Sequence, residues 1–296
     1  MKMTINNLIG IVLFACIAVA GCKKSTKLLD DNDKTLYLDP STSANIKVID
    51  VFAGNTPALP TAPNALYTGP QLYVYANGGK LNGTTLGYIN GNTYSSQTST
   101  SPNSQGLPFP ISNVYANVPP GATRFDIINA RLNLTVVPNV PSFLAGDTLI
   151  TFNTTLGAGK YYTMYIGDTV PTYKATILED DFSAPPVYQT YKVRLANFTM
   201  DPLERLSLFS RRQNAEIITD IPHKNVSGWI QLSLPIISDT LELRKAGTGV
   251  TYITVQGTAS QSPTFTPVGL RMYTIVARGK TGVLAKAPSA SLIINR

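Results

Sequence analysis

One histidine, one tryptophan and two cysteines are all that 296 residues hold of the side chains most often recruited for metal and thiol chemistry. His223 has no second imidazole with which to share a zinc ion, and no repeated Ser-His-Asp or Cys-His set can be assembled around it. It sits in Ile221-Pro222-His223-Lys224-Asn225, which reads as a surface loop. Charge is also scarce, at 14% of residues, and glutamate is rare. A chain with so few helix-surface residues and so much Tyr, Thr, Asn and Gly is not a helical protein. No long apolar run and no sustained 3.6-residue period occurs beyond the first 20 positions, although 203–208 could form one helical turn. The formal net charge of +7 comes from scattered residues, and Arg211-Arg212 is the densest downstream run. Nucleic acid is therefore not an expected partner, because neither a basic patch nor an RNA-binding or zinc motif accompanies the charge. A mild attraction to anionic polysaccharide or to a membrane surface is consistent with it.

The N-terminus carries the most explicit instruction. Lys2 precedes an apolar stretch from Leu8 to Ala20, which Lys23 and Lys24 close. About 20 apolar residues are needed to span a bilayer, so this shorter run reads as a secretory signal rather than a spanning or buried helix. Its end, Val19-Ala20-Gly21-Cys22, resembles the bacterial lipobox. That resemblance implies cleavage before Cys22 and acylation of its sulfur and amine, palmitate included. Two or three acyl chains hold a protein firmly to a membrane, where one does not. The expected partner is thus a lipid bilayer, reached through acylated Cys22, and the expected location is the outer membrane. Cys16 would leave with the signal and Cys22 would carry lipid, so the mature chain could form no disulfide and must rely on a core.

Residues 1–21 are read as signal peptide and 22–43 as a polar tether. The cluster Asp30, Asp31 and Asp33 in that tether resembles a displaced surface-export tag of Bacteroidota lipoproteins, or is a solvated linker, so the membrane face stays open. From 46 onward the chain reads as strands: 46–52, 72–75, 84–89, 111–118, 123–128, 133–137, 147–152, 161–166 and 172–178. A second series follows at 191–198, 205–209, 215–219, 227–234, 240–244, 251–255, 270–277 and 289–294. Asn77-Gly78-Gly79-Lys80 and Gly157-Ala158-Gly159 mark turns rather than phosphate loops, lacking the full spacing and a following helix. Residues 94–108, rich in Ser, Thr, Gln, Gly and Pro, read as an exposed loop. Glu179 to Pro186 reads as a joint, stiffened by two prolines. The spacing of breakers predicts an all-β protein of tandem immunoglobulin-like β-sandwiches, one at 44–182 and one at 187–296.

The two halves can be laid over each other at four places in the same order. Ile46 to Phe52 is set against Lys192 to Phe198, and Leu72-Tyr73-Val74-Tyr75 against Leu206-Ser207-Leu208-Phe209. Thr123 to Ile127 is set against Thr240 to Arg244, and Tyr162 to Gly167 against Tyr273 to Gly279 with one extra residue.

These landmarks resemble the domain of unknown function 4397 carried by Bacteroidota lipoproteins. Its opening strand corresponds to Lys47 to Asp50, its "L-x-V-Y-x-N-G" strand and turn to Leu72 to Gly78, its glycine turn to Pro120-Gly121, and its late "Y-T" strand to Tyr162-Thr163. The second copy keeps Val193 to Asn197 and Tyr273-Thr274 but has Arg211-Arg212-Gln213-Asn214 in place of the asparagine-glycine turn. The resemblance implies a pair of immunoglobulin-like sandwiches and no assigned activity.

Candidate sites are few. Glu179, Asp180 and Asp181 could hold calcium with backbone oxygens, or form a solvated acidic linker. They do not offer the two opposed carboxylates of a glycosidase. Tyr73, Tyr75, Tyr88 and Tyr94, with Tyr67 beside the same loops and amides at Asn77, Asn82 and Asn90, could receive a sugar, because rings supply apolar faces beside hydrogen-bonding groups. The alternative is that these tyrosines pack on a sandwich face. Trp229, alternating with Ile230, reads as core. No cofactor is expected. The sequence thus predicts a non-enzymatic, lipid-anchored cell-envelope protein with a structural or interaction role, with a glycan-binding lipoprotein serving polysaccharide capture as the alternative.

Overall fold

The computed structural model describes residues 39–51, 72–82, 108–110, 114–129, 147–167, 174–235, 238–255, 264–279 and 289–296. The signal peptide, Cys22 and most of the tether lie outside the described residues, as do Tyr67, Tyr88, Asn90, Tyr94 and the expected strands at 84–89 and 133–137. Among the described residues every regular element is a strand. The helical turn considered at 203–208 is instead a turn at Asp201, whose carboxylate accepts from the Leu203 N–H at 3.0 Å, followed by a strand. No helix of the described residues is long and apolar enough to cross a membrane.

In the first half the strands are β1 (Ala44–Asp50), β2 (Leu72–Ala76), β3 (Gly79–Lys80), β4 (Pro108–Phe109), β5 (Ala116–Val118), β6 (Gly121–Asn129), β7 (Thr148–Leu156), β8 (Tyr161–Gly167) and β9 (Lys174–Glu179). The second half contributes β10 (Thr190–Thr199), β11 (Leu206–Ser210), β12 (Ala215–Ile221), β13 (Asn225–Val226), β14 (Ile230–Ser233), β15 (Leu241–Lys245), β16 (Thr251–Thr254), β17 (Met272–Gly279) and β18 (Ser289–Ile294). They form four sheets. One runs β4-β1-β8-β9 with β5 also on β1, and its counterpart runs β13-β10-β17-β18 with β14 also on β10. The other two run β3-β2-β6-β7 and β12-β11-β15-β16.

Strand order and direction repeat throughout. The pairs β1·β8 and β10·β17 are both parallel, whereas the other pairings are antiparallel. Tyr162 and Tyr273 even make the same contact, each hydroxyl accepting the backbone N–H five residues upstream, from Gly157 at 2.8 Å and Val268 at 2.9 Å. Ladder partners correct the sequence correspondence at two of its four landmarks. Ile46 pairs with Tyr162 and Val193 with Tyr273, so Ile46 matches Val193 and Lys47 matches Arg194. Likewise Val74 faces Ile127 and Leu208 faces Leu243, so Asp126 matches Glu242 rather than Leu243. Both sequence matches slip by one residue, which exchanges the two faces of a strand.

Two local features fix the first copy. Asn77 (φ 48°) and Gly78 (φ 81°) make the two-residue hairpin turn between β2 and β3, a geometry that needs positive φ at both positions. Gly159 (φ 68°) closes the turn before β8, and an added Cβ would stand 2.9 Å from the Ser41 carbonyl oxygen.

Each sandwich has its own core. Ile46, Val48, Leu72, Val74, Phe125, Ile127, Met164 and Ile166 fill the first. Val193, Leu195, Leu206, Leu208, Leu241, Leu243, Tyr273 and Ile275 fill the second. A third cluster joins Ile49, Val51 and Tyr165 to Ala196, Phe198, Val276 and Ile293. These residues alternate with the core positions of β1, β8, β10 and β17, so they lie on the opposite faces of those sheets. The β1·β8 sheet and the β10·β17 sheet therefore pack back to back, and the two sandwiches stack into four layers. This explains why β1 and β17 are buried along their whole length.

Candidate functional site

The seam between the sandwiches gathers most of the buried charge. Arg194 lies on the seam face of β10 and is 5% exposed. Its guanidinium pairs with the Asp180 carboxylate and donates to Thr274 Oγ1 at 2.8 Å. The Trp229 ring lies over that guanidinium at 4.3 Å. Asp180 also accepts from Thr163 Oγ1 at 2.6 Å and from the Tyr115 hydroxyl at 2.9 Å. Asn295 completes the circuit: its Oδ1 accepts from Thr274 at 2.6 Å and its Nδ2 donates to the Tyr115 oxygen at 3.0 Å. Asp180 follows β9 just as Asn295 follows β18, and Thr163 matches Thr274. Equivalent positions of the two copies thus meet across the seam, one copy supplying the anion and the other the neutral amide. Burial, reinforced by the Asp180 charge, pushes the Tyr115 hydroxyl well above the ordinary phenol range.

Lys47, the counterpart of Arg194, is fully buried. Its ammonium donates to the Ile294 carbonyl at 3.2 Å and lies 4.7 Å from the centre of the Tyr115 ring. Burial lowers its pKa to about 8, against the opposing pull of Asp180. Arg278 crosses the seam as well, donating to the Asp50 carbonyl at 3.1 Å, and burial lowers its pKa to about 10. Aromatic edges seal this end: Tyr115, Tyr161 and Phe182 meet at 5.2 to 6.0 Å. Trp229 adds to that wall at 6.0 Å from Phe182, so it is a half-buried cover over the seam rather than a sandwich-core residue.

The acidic joint is split by this arrangement. Glu179 turns outward to Lys160 at 2.8 Å, and Asp181 accepts the Ser183 N–H at 2.9 Å. Asp180 points inward to Arg194. Strand-like alternation sends neighbouring carboxylates to opposite sides, so Glu179, Asp180 and Asp181 are not brought together as calcium coordination requires. No group of three or more His, Cys, Asp or Glu among the described residues could hold a metal ion.

The tyrosine face is half-buried. Tyr73 and Tyr75 alternate with the core residues Leu72 and Val74, which puts both on the outer face of the β2·β6 sheet. Lys80 lies over the Tyr73 ring at 3.3 Å. Asp126, opposite Tyr75 in the ladder, is held by Arg124 at 3.0 Å and accepts from Thr151 at 2.7 Å. The Thr151 hydrogen bond, with Arg124 beside it, lowers the Asp126 pKa below the usual carboxylate range. The amides of Asn77 and Asn82 have backbone contacts of their own. Asn77 Oδ1 accepts the Arg124 N–H at 2.8 Å, and the buried Asn82 bridges Val74 N–H and Leu72 C=O at 2.7 and 2.9 Å. The backbone thus takes both ends of the Asn82 amide and the Oδ1 of Asn77. The matching face of the second copy is covered: Arg244 lies 3.2 Å from the Phe209 ring centre, and Glu242 binds both Arg211 and Arg244. Burial acts to raise the Glu242 pKa, but the hydrogen bonds from the two guanidiniums outweigh it and leave a net lowering.

No family model matches the chain, and no curated protein matches it. Among solved structures, the fimbrial anchor protein Mfa2 from Porphyromonas gingivalis aligns with 86% of this chain and 97% of its own, at 12% identity and a TM-score of 0.22. A likeness at that level assigns neither fold nor function. The fold stands on the four sheets, and function on the residues described above.

Proposed function

We propose that this protein is a lipid-anchored cell-envelope module whose two sandwiches, residues 44–182 and 187–296, act as one rigid body. They are read as two copies of the domain of unknown function 4397. The observation that carries the reading is the seam. Tyr115, Lys47 and Arg278, seam groups whose pKa values burial shifts strongly, are engaged by Asp180 and Asn295, by the Tyr115 ring, and by backbone carbonyls. A buried ion pair with every partner satisfied fixes a unique arrangement better than it adds stability. Such a body suits a spacer or interaction platform held off the outer membrane by the 22–43 tether.

Acylation at Cys22 is tested by metabolic labelling with a clickable palmitate and by membrane fractionation. Label and membrane retention are expected for the natural chain, and both are lost with Cys22→Ser. Label retained by the Cys22→Ser protein would remove the anchor from this reading. Crosslinking in intact cells then identifies envelope neighbours, and protease shaving assigns the membrane face.

The outer face at Tyr73 and Tyr75, half-buried and with Lys80 on the Tyr73 ring, supports a second reading, capture of a glycan. Two rings beside the Arg124–Asp126 pair and Thr151 offer an apolar surface flanked by hydrogen-bonding groups. Saturable binding to a polysaccharide panel that disappears in folded Tyr73→Ala and Tyr75→Ala proteins is the expected result. Silence across the panel, or binding indifferent to both substitutions, would retire it.

A further inference from the structure

Across the seam β1 and β10 run the same way. Lys47 reaches the Ile294 carbonyl, which the ladder sets level with Val193, and the Asp50 carbonyl accepts from Arg278, the partner of Phe198. The starts of β1 and β10 therefore lie at one end of the body. Asp39 is at that end too, its carbonyl accepting the Ser43 N–H just before β1. Cys22 lies 17 positions before Asp39, and a chain of that length spans at most about 60 Å.

Eight large apolar side chains are exposed among the described residues, and four of them share this end. Val187 (58% exposed) and Tyr188 (81%) precede β10, while Val268 (56%) and Leu270 (56%) precede β17. The two turns are bound side by side: the Leu270 N–H donates to the Thr190 carbonyl at 2.8 Å, and the Thr190 N–H to the Val187 carbonyl at 3.0 Å. Leu270 holds φ at 63°, a left-handed backbone that a bulky residue seldom takes and asparagine takes more readily. Single exposed apolar residues need no explanation, but a contiguous group marks an interaction site.

Cationic side chains border the two turns. Arg271 follows Leu270, Lys192 donates to the Ala184 carbonyl, and the backbone of exposed Arg212 is bound to Asp239, itself bridged to Phe265. Of the carboxylates at this end, Asp180 and Asp239 are buried, Glu179 pairs with Lys160, and Asp39 and Asp181 accept from Ser41 and Ser183. A tyrosine among aliphatic tips, with cations beside them, is the composition that settles at a membrane–water interface. We infer that this end docks on a phospholipid surface, with Val187, Tyr188, Val268 and Leu270 entering the headgroup layer and Arg271 and Lys192 near the phosphates. The choice of partner rests on the anchor reading, because a chain fastened through Cys22 meets the membrane by this end. The tether then limits how far the body stands off, and the apolar turns draw it back to the headgroups.

The full mature chain with Cys22→Ser has no thiol, and a histidine tag ahead of residue 22 fastens it to vesicles of phosphatidylethanolamine and phosphatidylglycerol that carry a nickel-chelating lipid. The tag replaces the acyl groups, so docking is read whether or not Cys22 is acylated in the cell, and the palmitate label tests the anchor separately. A polarity-sensitive NBD label at Tyr188→Cys is expected to brighten about twofold or more on these vesicles and to be quenched by brominated acyl chains. The same label at Leu203→Cys, beyond the far end of β10, should do neither. Val268→Ser with Leu270→Asn should remove most of the response while Tm holds, since asparagine suits the left-handed backbone. Equal signals at the two label positions, an unchanged label at Tyr188→Cys on loaded vesicles, or a full response in the Val268→Ser, Leu270→Asn protein would overturn the proposal. So would a response that grows with protein concentration without vesicles, which would assign the face to a second copy. A label already shielded in buffer at every concentration would assign it to residues 23–38 and overturn the proposal as well.

Discussion

Replacing Asp180 with alanine removes the carboxylate that Arg194, Tyr115 and Thr163 share in the seam. Arg194, 5% exposed, would keep Thr274 as its hydrogen-bonded partner but lose its counter-charge. The hydroxyls of Tyr115 and Thr163 would lose their acceptor at the same stroke. Removing one member of a buried ion pair costs about 3–5 kcal/mol, since an uncompensated charge stays behind. For a body of this size a loss of 1 kcal/mol lowers Tm by about 2–4 °C. Asp180→Ala is therefore expected to lower Tm by roughly 6–20 °C, measured by circular dichroism with urea titration as the equilibrium check. The double variant Asp180→Leu, Arg194→Met should recover most of that loss, because apolar replacement of a whole buried pair is commonly neutral or better. A loss below about 1 kcal/mol, or a double variant as damaged as the single, would refute the claim that this pair is buried and coupled across the seam.

Three further outcomes are expected. Lys47 binds its proton less tightly folded, with a pKa of about 8, than unfolded near 10.5. The unfolded chain then holds more protons between those values, so this residue's contribution to stability rises as pH climbs from about 8 to 10.5 and is unfavourable below. The rise should be at most about 3 kcal/mol and absent from Lys47→Met; equal pH profiles for the two proteins would contradict the burial of Lys47. Gly159→Ala forces a side chain into a left-handed turn against the Ser41 carbonyl and should cost about 1–3 kcal/mol by urea denaturation, whereas a neutral result would contradict the turn. Tyr162→Phe and Tyr273→Phe should each cost about 1 kcal/mol, and matched losses in chemical denaturation test whether the two copies are equivalent.

The strand series and the hairpin at Asn77-Gly78 were legible because alternation and turn chemistry are local. So was the duplication, since Tyr162 and Tyr273 keep their place in each copy. The seam was not. Ile46-Lys47-Val48 and Lys192-Val193-Arg194 alternate charged and apolar residues as an ordinary half-solvated strand does. Whether the charged face meets water or a second sheet depends on a partner far along the chain. The same ambiguity attends the one-residue slip between β1 and β10, because strands buried on both faces fit almost equally well in either phase. Asp180 shows the limit from the other side. Three adjacent carboxylates look like one acidic site, yet only the fold reveals that the middle one turns inward to Arg194. Asn77 and Asn82 looked like sugar ligands by composition, and their backbone contacts appear only once β2 has a neighbour.

Small-angle X-ray scattering of the chain from Asp39 onward tests most directly whether the two sandwiches form one body. A rigid back-to-back stack predicts a single-peaked pair-distance distribution with a radius of gyration of about 18–20 Å, unchanged by salt. A two-peaked distribution, or one that broadens as two tethered sandwiches drift apart, would contradict it.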